Sequence, residues 1–187
     1  MKKILLISVL LMSTSIAICQ DDDEDDNRLN SIRLGYQLSN LVNSDEDAAA
    51  NLNSFYIGYT RQKRLGGIFR LETGLEYMMG GAKITDSTKW QLHYLVLPVQ
   101  LHLKLGPFIG TAGLNADFKI KEKVTVAGNE VDINDDNKST FMDCTADLGV
   151  GFKIWFLTLE ARYYYGLVDI NEGWHNSFAQ LGLKFSF

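Results

Sequence analysis

The stretch that decides the fold is the last one in the chain, Ser177-Phe178-Ala179-Gln180-Leu181-Gly182-Leu183-Lys184-Phe185-Ser186-Phe187. Successive side chains of an extended strand point to opposite faces, so one face of this stretch is apolar and the other carries Gln180, Lys184 and Ser186. A soluble sheet gains little from such a strand, whereas a membrane barrel places the apolar face against lipid and the polar face in its lumen. The stretch therefore predicts the closing strand of a transmembrane β-barrel.

The same alternation occurs in further segments upstream. It is clearest at residues 32–38, 69–79, 144–154 and 157–167, where apolar side chains share one face and polar or small side chains share the other. The predicted strands have about ten residues, the length that a tilted strand needs to cross the hydrocarbon layer. We therefore predict an all-β fold, a membrane-spanning antiparallel up-and-down β-barrel of about eight strands, over residues 31–187.

The predicted connections alternate between short and long. Short turns are predicted near residues 61–67, 106–107 and 155–157, and longer polar loops at residues 41–54, 80–91, 119–141 and 169–176. Barrels of the bacterial outer membrane have short periplasmic turns and long outer loops. An even number of strands then places both termini in the periplasm.

Two features refine this picture of the strands. Pro98 lacks a backbone donor, so a bulge or a weak ladder position is expected in the fourth strand. Aromatic residues gather near both predicted rims, as membrane-interface girdles do. They are Trp155, Phe156, Phe185 and Phe187 near the turns, and Tyr77, Trp90, Tyr165 and Trp174 near the loops.

The N-terminus reads as a secretory signal peptide at residues 1–19. Lys2 and Lys3 precede an apolar stretch, and Ala17 and Cys19 occupy small-residue positions before a cleavage site. Lipidation of Cys19 is the alternative, although the bulky Ile18 fits a lipidation site poorly. The acidic residues that follow predict a solvated, disordered leader at residues 20–30.

The inward faces of the predicted strands carry charges of both signs. Because an unpaired buried charge costs several kcal/mol, we expect these side chains to pair in a lumenal network. Its predicted members are Arg33, Arg70, Glu72, Glu76, Asp117, Asp147, Glu160, Arg162 and Lys184. Small barrels are filled by their own side chains, so an open pore is not expected.

The sequence indicates no catalytic, cofactor or metal site. His93, His102 and His175 lack metal-ligand spacing, and no motif supplies a nucleophile. Acidic residues at 132–136 together with Asp143 match part of a calcium-loop pattern, but the helices that flank such loops are missing. The net charge of −5 becomes more negative once Lys2 and Lys3 are removed, which argues against a nucleic-acid partner.

Three stretches, taken in order, resemble the PorT-like family of outer-membrane barrels. They are Glu72-Thr73-Gly74-Leu75-Glu76-Tyr77, Tyr94-Leu95-Val96-Leu97-Pro98 and Tyr163-Tyr164-Tyr165-Gly166-Leu167-Val168-Asp169-Ile170. Val96 departs from the acid and Asp169 from the asparagine that the family often has. The resemblance implies a barrel in the outer membrane and, through the founding member of the family, a link to type IX protein secretion.

These observations favour a non-enzymatic outer-membrane barrel with a plugged lumen, structural or part of an envelope or secretion assembly. Expected partners are outer-membrane lipid and the barrel-assembly machinery, for which Phe185 and Phe187 resemble the terminal recognition signal. The alternative is a secreted lipid-binding barrel of lipocalin type, whose apolar face would point inward.

Overall fold

The computed structural model describes residues 28–42, 51–85, 88–126, 129–131, 141–168 and 174–187. Among these residues no helix is long and apolar enough to cross a membrane. The described residues form nine strands: β1 (Arg28–Val42), β2 (Leu52–Gly66), β3 (Phe69–Thr85), β4 (Thr88–Leu105), β5 (Phe108–Val126), β6 (Asn129–Val131), β7 (Met142–Ile154), β8 (Leu157–Gly166) and β9 (His175–Ser186).

Eight of these strands close into a ring. Each long strand pairs with its neighbours in the order β1-β2-β3-β4-β5-β7-β8-β9, and β9 returns to pair with β1. All pairings are antiparallel, and the seam runs from Ser31 opposite Ser186 to Val42 opposite His175. The short β6 pairs only with the far part of β5 and lies outside the ring. The predicted fold class, an eight-stranded up-and-down barrel, is confirmed.

The two ends of the barrel differ. At one end, here called the turn end, two-residue turns join the strands at Gly67-Ile68, Gly106-Pro107 and Trp155-Phe156. Gly67 and Gly106 have φ angles of 54° and 63°, the left-handed region that tight hairpin turns require and that glycine adopts without strain. The β1 and β9 termini meet at this end, where Asn30 and Phe187 exchange backbone hydrogen bonds of 3.1 and 2.9 Å. The opposite end is called the loop end.

Three strands extend far past the others at the loop end. β3, β4 and β5 contain 17, 18 and 19 residues, compared with 10 in β8. The predictions of loops at residues 80–91 and 119–141 were therefore wrong over much of their length. Polar composition suggested loops, but the ladders continue through Lys83 opposite Lys89 and through Val124 opposite Val131. In a hairpin that extends beyond the membrane both faces can be polar, so composition no longer distinguishes strand from loop.

Smaller boundaries also differ from the prediction. The basic segment predicted as a turn at residues 61–67 is strand up to Gly66, and β1 begins at Arg28, inside the predicted leader. At Pro98 the β3–β4 ladder lacks pairs between Thr73 opposite Val99 and Glu76 opposite Val96, as a missing donor predicts. The register is unchanged there. The register of β4 shifts instead between His93 and Tyr94, opposite β5, and in the β3–β4 pairing between Lys83 and Thr85.

The predicted faces of the strands are observed. Leu148, Val150 and Leu181 are 68%, 66% and 56% exposed on the outer surface, whereas Arg33, Gln37 and Lys184 are buried in the lumen. Large exposed apolar side chains encircle the barrel, as a lipid-facing surface requires. The lipocalin alternative needed the opposite orientation, so the structure contradicts it.

Candidate functional site: the lumen and its two ends

An ionic cluster fills the half of the lumen nearer the turn end. It contains three bases and three acids, so its formal charges balance, and every one of these side chains is at most 5% exposed. The strands β1, β3, β8 and β9 each place one or two inward-facing positions of their alternating pattern here. The members of the ionic cluster are Arg33, Glu72, Glu76, Glu160, Arg162 and Lys184.

Arg33 lies at the centre of the ionic cluster. Its guanidinium group pairs with Glu72, donates to Glu76 Oε1 at 2.6 Å, and lies 3.7 Å from Glu160 Oε2. It also donates to Gln100 Oε1 at 3.2 Å. A planar guanidinium group can hold several oxygens at once, which an ammonium group does less well. Arg33 therefore joins acids from β3 and β8 across the lumen.

The other two bases complete the ionic cluster. Lys184 pairs with Glu72 and lies 3.5 Å from Glu160. Arg162 donates to Glu76 at 3.5 Å, and its guanidinium carbon lies 5.1 Å from the ring centre of Tyr56 and 5.4 Å from that of Tyr164. Cation–π contacts of this kind strengthen where water is excluded.

Amide side chains surround the ionic cluster. Gln62 donates to Glu72 at 2.5 Å, and Gln100 and Asn115 donate to the two oxygens of Asp147 at 2.9 and 3.0 Å. Asp147, predicted to pair with a base, is thus held by two amides. His102 Nε2 lies 3.5 Å from Glu72.

A second carboxylate pair lies nearer the loop end. Asp117 on β5 and Asp143 on β7 stand directly opposite each other in the ladder. Asp143 accepts hydrogen bonds of 2.7 Å from Asn176 and from the backbone of Cys144. Asp117 is fully buried, and neither of its oxygens accepts a hydrogen bond from a residue that the structure describes. Asp117 is therefore separate from the ionic cluster in which it was predicted.

An aromatic cluster fills the lumen toward the loop end. Its rings pack closely, with Tyr164 and Phe178 edge to face at 6.3 Å between centroids. Trp90 and Trp174, predicted for the outer girdle, pack against this cluster instead. Even-numbered positions face inward on β4, which contains Trp90, and on β9, which Trp174 directly precedes. The members of the cluster are Tyr56, Met78, Ala82, Leu92, Tyr94, Val96, Tyr164 and Phe178.

Sequence reasoning missed Tyr56 as a lumenal residue, although a signal for it exists. Gly35 and Gly182 stand opposite each other in the β1–β9 ladder. A Cβ atom on either glycine would collide with the Tyr56 hydroxyl or the neighbouring backbone. Two facing glycines on inward positions indicate that a large side chain from another strand crosses the lumen there.

The inner face at the turn end is basic. Arg70, Lys104, Lys153 and Lys184 line one cavity together with His102. Arg70 was predicted to belong to the lumenal network, but it forms no ion pair with any described residue and points toward this opening. In the part of the chain that the structure describes, no acidic side chain lines the cavity.

Other candidate chemistry finds no support from the described residues. Among them, no three His, Cys, Asp or Glu side chains come together as metal ligands would. Most of the calcium-like segment, residues 132–140, lies outside the described residues, and Asp143 faces the lumen from β7. His93 is on the outer face, where its Nδ1 shares a 2.6 Å hydrogen bond with the Tyr77 hydroxyl.

Solved structures of outer-membrane proteins share this architecture. Ail, the attachment invasion locus protein of Yersinia pestis, superposes with a TM-score of 0.55 at 14% identity over 86% of this chain and 99% of Ail. Neisserial surface protein A gives a TM-score of 0.59 at 14% identity over 84% of this chain and 97% of its own. At such identities the likeness shows the fold alone. No curated protein matches the chain.

The family comparison addresses membership directly. A model described as "Outer membrane protein beta-barrel domain" matches residues 20–172, which is most of the chain. It gives no support to the narrower PorT-like resemblance. The match agrees with the lipid-facing surface and the charged lumen, so the chain belongs to the family of outer-membrane proteins with a β-barrel domain and is a protein of the outer membrane.

Proposed function

We propose that this protein is a non-enzymatic outer-membrane barrel with a closed lumen, which serves as a structural scaffold and contacts other envelope components through its ends. The observation that carries this proposal is the filled lumen. The ionic cluster occupies one half and the aromatic cluster the other, and buried inward side chains of β5 and β7, such as Asn115 and Asp147, lie beside them. A small barrel filled in this way has no room for a continuous aqueous path.

The loop end supplies the contact surface in this proposal. β3, β4 and β5 extend beyond the shorter strands and form a sheet with β6. On its outer face lie Lys83 and Lys89, directly opposite each other, and Lys121, which stands opposite His93 four positions along β4 from Lys89. An ordered sheet presents side chains at fixed spacing, which suits recognition of a partner better than a solvated loop does.

The orientation proposed for the barrel has the turn end in the periplasm. Short turns and both strand termini lie at that end, as is usual for bacterial barrels. The partner class proposed is an envelope assembly. Type IX secretion is the assembly that the PorT-like resemblance implies, and it is kept here only as a candidate system in which to search for partners.

The closed lumen is tested by planar-bilayer recording. The purified barrel should show no sustained conductance. A variant in which Phe178 and Tyr164 are both alanine opens only the aromatic half and should also stay closed, because the ionic cluster still fills the other half. A stable ohmic conductance from the parent protein would contradict the proposal. Membrane insertion is checked separately by the shift in gel mobility between boiled and unboiled samples.

Orientation is tested by labelling intact cells with a membrane-impermeant thiol reagent. In a Cys144→Ser background, a cysteine replacing Lys89 at the loop end should react, and a cysteine replacing Trp155 at the turn end should react only after the cells are broken. Trp155 is 88% exposed, so a lack of labelling in intact cells cannot be due to burial in the protein. The reverse pattern would overturn the proposed orientation.

We further propose that the barrel-assembly machinery recognises β9 through Phe185 and Phe187. The unpaired edge of this strand can be bound by strand addition before it closes on β1. Deletion of Phe187 should lower the heat-modifiable fraction of the protein while export remains normal. Ser186→Ala, a change on the lumenal face, is the control and should have little effect. Equal assembly of both variants would contradict the recognition role.

A further inference from the structure

We propose that the acidic run at residues 21–26 binds to the basic opening at the turn end of the same barrel. The run reads Asp21-Asp22-Asp23-Glu24-Asp25-Asp26 and lies outside the described residues. The opening, here called the basic mouth, is formed by Arg64, Arg70, Lys104 and Lys153. The proposal concerns a contact within the molecule and does not depend on the function proposed above.

The basic mouth is built by inward positions of four strands. Arg64 on β2 stands opposite Arg70 on β3, and Arg70 lines the cavity that Lys104 of β4 and Lys153 of β7 also line. Lys184 lies at the base of this cavity, but its charge is already matched by Glu72 and Glu160. The other three bases of the cavity, Arg70, Lys104 and Lys153, have no carboxylate partner among the described residues.

The charge imbalance at the turn end extends beyond this cavity. Bases occur there on five strands, and every described acid lies farther along the strands toward the loop end. Glu72 and Glu160 are the nearest, and both are buried within the ionic cluster. Like charges held this close repel one another, so a mobile counter-charge would be bound. The bases are Arg28, Arg61, Lys63, Arg64, Arg70, Lys104 and Lys153.

The acidic run is tethered at this opening. β1 begins at Arg28, only two positions after Asp26, and Leu29 lines the same cavity as Arg70 and Lys104. A chain spans at most about 3.5 Å per residue, so six residues reach about 20 Å, enough to cross the mouth of a small barrel. A short tether also holds the run at an effective concentration of about millimolar, which favours this contact over one between molecules.

The first experiment locates the acidic run by chemical cross-linking. The chain from Gln20 onward is folded in zwitterionic micelles and treated with a carbodiimide, which joins carboxylates to lysines without a spacer. Peptides containing residues 21–26 should be linked to Lys104 and Lys153. Lys89 and Lys121, which are exposed at the loop end, are the matched control lysines. Salt at about 0.5 M should reduce the links to Lys104 and Lys153 because it screens exposed charges.

Two results of cross-linking would overturn the proposal. One is equal linkage to Lys89 and Lys104, which would show random contact. The other is linkage mainly between isotope-labelled and unlabelled chains, which would assign the basic mouth to a second copy. The shift in gel mobility between boiled and unboiled samples reports the folded barrel in every sample, so a loss of signal through misfolding is recognised.

The second experiment asks whether the run and an added acidic peptide compete. The probe is a fluorescent hexapeptide with the sequence Asp-Asp-Asp-Glu-Asp-Asp, and the key variant carries asparagine at the five aspartates of the run together with Glu24→Gln. This variant should bind the probe about tenfold more tightly than the parent, because the tethered competitor is gone. Adding K104Q and K153Q should abolish the gain. Equal binding by parent and variant would contradict the proposal.

Discussion

The two halves of the lumen are filled by opposite chemistry. Toward the turn end, Arg33, Arg162 and Lys184 neutralise three glutamates through ion pairs that join different strands. Toward the loop end, aromatic and aliphatic side chains fill most of the same cylinder, beside the Asp117–Asp143 pair. The same barrel backbone can thus be filled by ion pairs or by packed apolar side chains, provided that each inward side chain contacts a neighbour of compatible charge or polarity.

This difference predicts which kind of substitution destabilises each half. A buried ion pair is costly to form from hydrated ions, and breaking it by removing one partner leaves an uncompensated charge. A packed aromatic cluster loses contact area and gains a cavity when a ring is removed. The stability of the ionic half should therefore depend on the charge of the substituted side chain, and that of the aromatic half on its volume.

The largest effect is expected from Arg33→Ala in the ionic cluster. The change leaves Glu72, Glu76 and Glu160 with one base fewer, and should lower the free energy of unfolding by about 3–5 kcal/mol. Urea unfolding in lipid vesicles, followed by tryptophan fluorescence, measures it. Arg61→Ala removes an exposed arginine on the neighbouring strand and is the matched control. A loss below about 1 kcal/mol in Arg33→Ala would show that the cluster is not stabilising.

A comparable but volume-dependent effect is expected from Phe178→Ala in the aromatic cluster. Removing this fully buried ring should cost about 3–4 kcal/mol, and Phe178→Leu clearly less because most of the volume is kept. The same unfolding assay applies to both variants. If leucine were as damaging as alanine, ring geometry and not volume would govern this half, and the comparison between the halves would have to be revised.

A smaller effect is expected on the outer surface, which faces lipid around both halves of the lumen. Leu181→Arg places a charge near the middle of the lipid-facing band and should cost about 2–4 kcal/mol. Trp155→Arg makes the same charge change at the turn end, where headgroups and water are near, and should cost about 0–1 kcal/mol. Equal costs would mean that the lipid boundary does not follow the apolar band seen here.

The smallest effect, and one of opposite sign, is expected at Asp117. Since its carboxylate accepts no hydrogen bond from the described residues and faces Asp143, Asp117→Asn should leave stability unchanged or raise it by about 1 kcal/mol. Asp147→Asn should instead destabilise, because it replaces one acceptor oxygen with a donor that faces Gln100 or Asn115. Strong destabilisation by Asp117→Asn would reveal a partner of that carboxylate.

Strand alternation was sufficient to predict the ring, its outer face and most inward residues, because a period of two assigns each side chain to lipid or lumen. It could not predict partners. Arg70 and Arg33 are both inward bases, yet Arg33 lies level with three glutamates whereas Arg70 lies near the turn, and only the register between strands fixes those heights. The aromatic cluster was missed for a related reason. A single Tyr or Phe at an inward position looks like a departure from the polar lumenal pattern, and only the register between strands shows that several of them are in contact.

The β1–β9 seam implies that the ring has no intrinsic first strand. Asn30 and Phe187 are hydrogen bonded through their backbones, and Ser31 and Ser186 share a 3.0 Å hydrogen bond inside the lumen. A short linker could therefore join these ends while the chain is opened at Gly106-Pro107, and the circularly permuted protein should keep the same ladder. Its folding would differ, however. In the natural order the seam joins residues about 150 positions apart and must form last, whereas in the permutant it becomes a local hairpin that can form early.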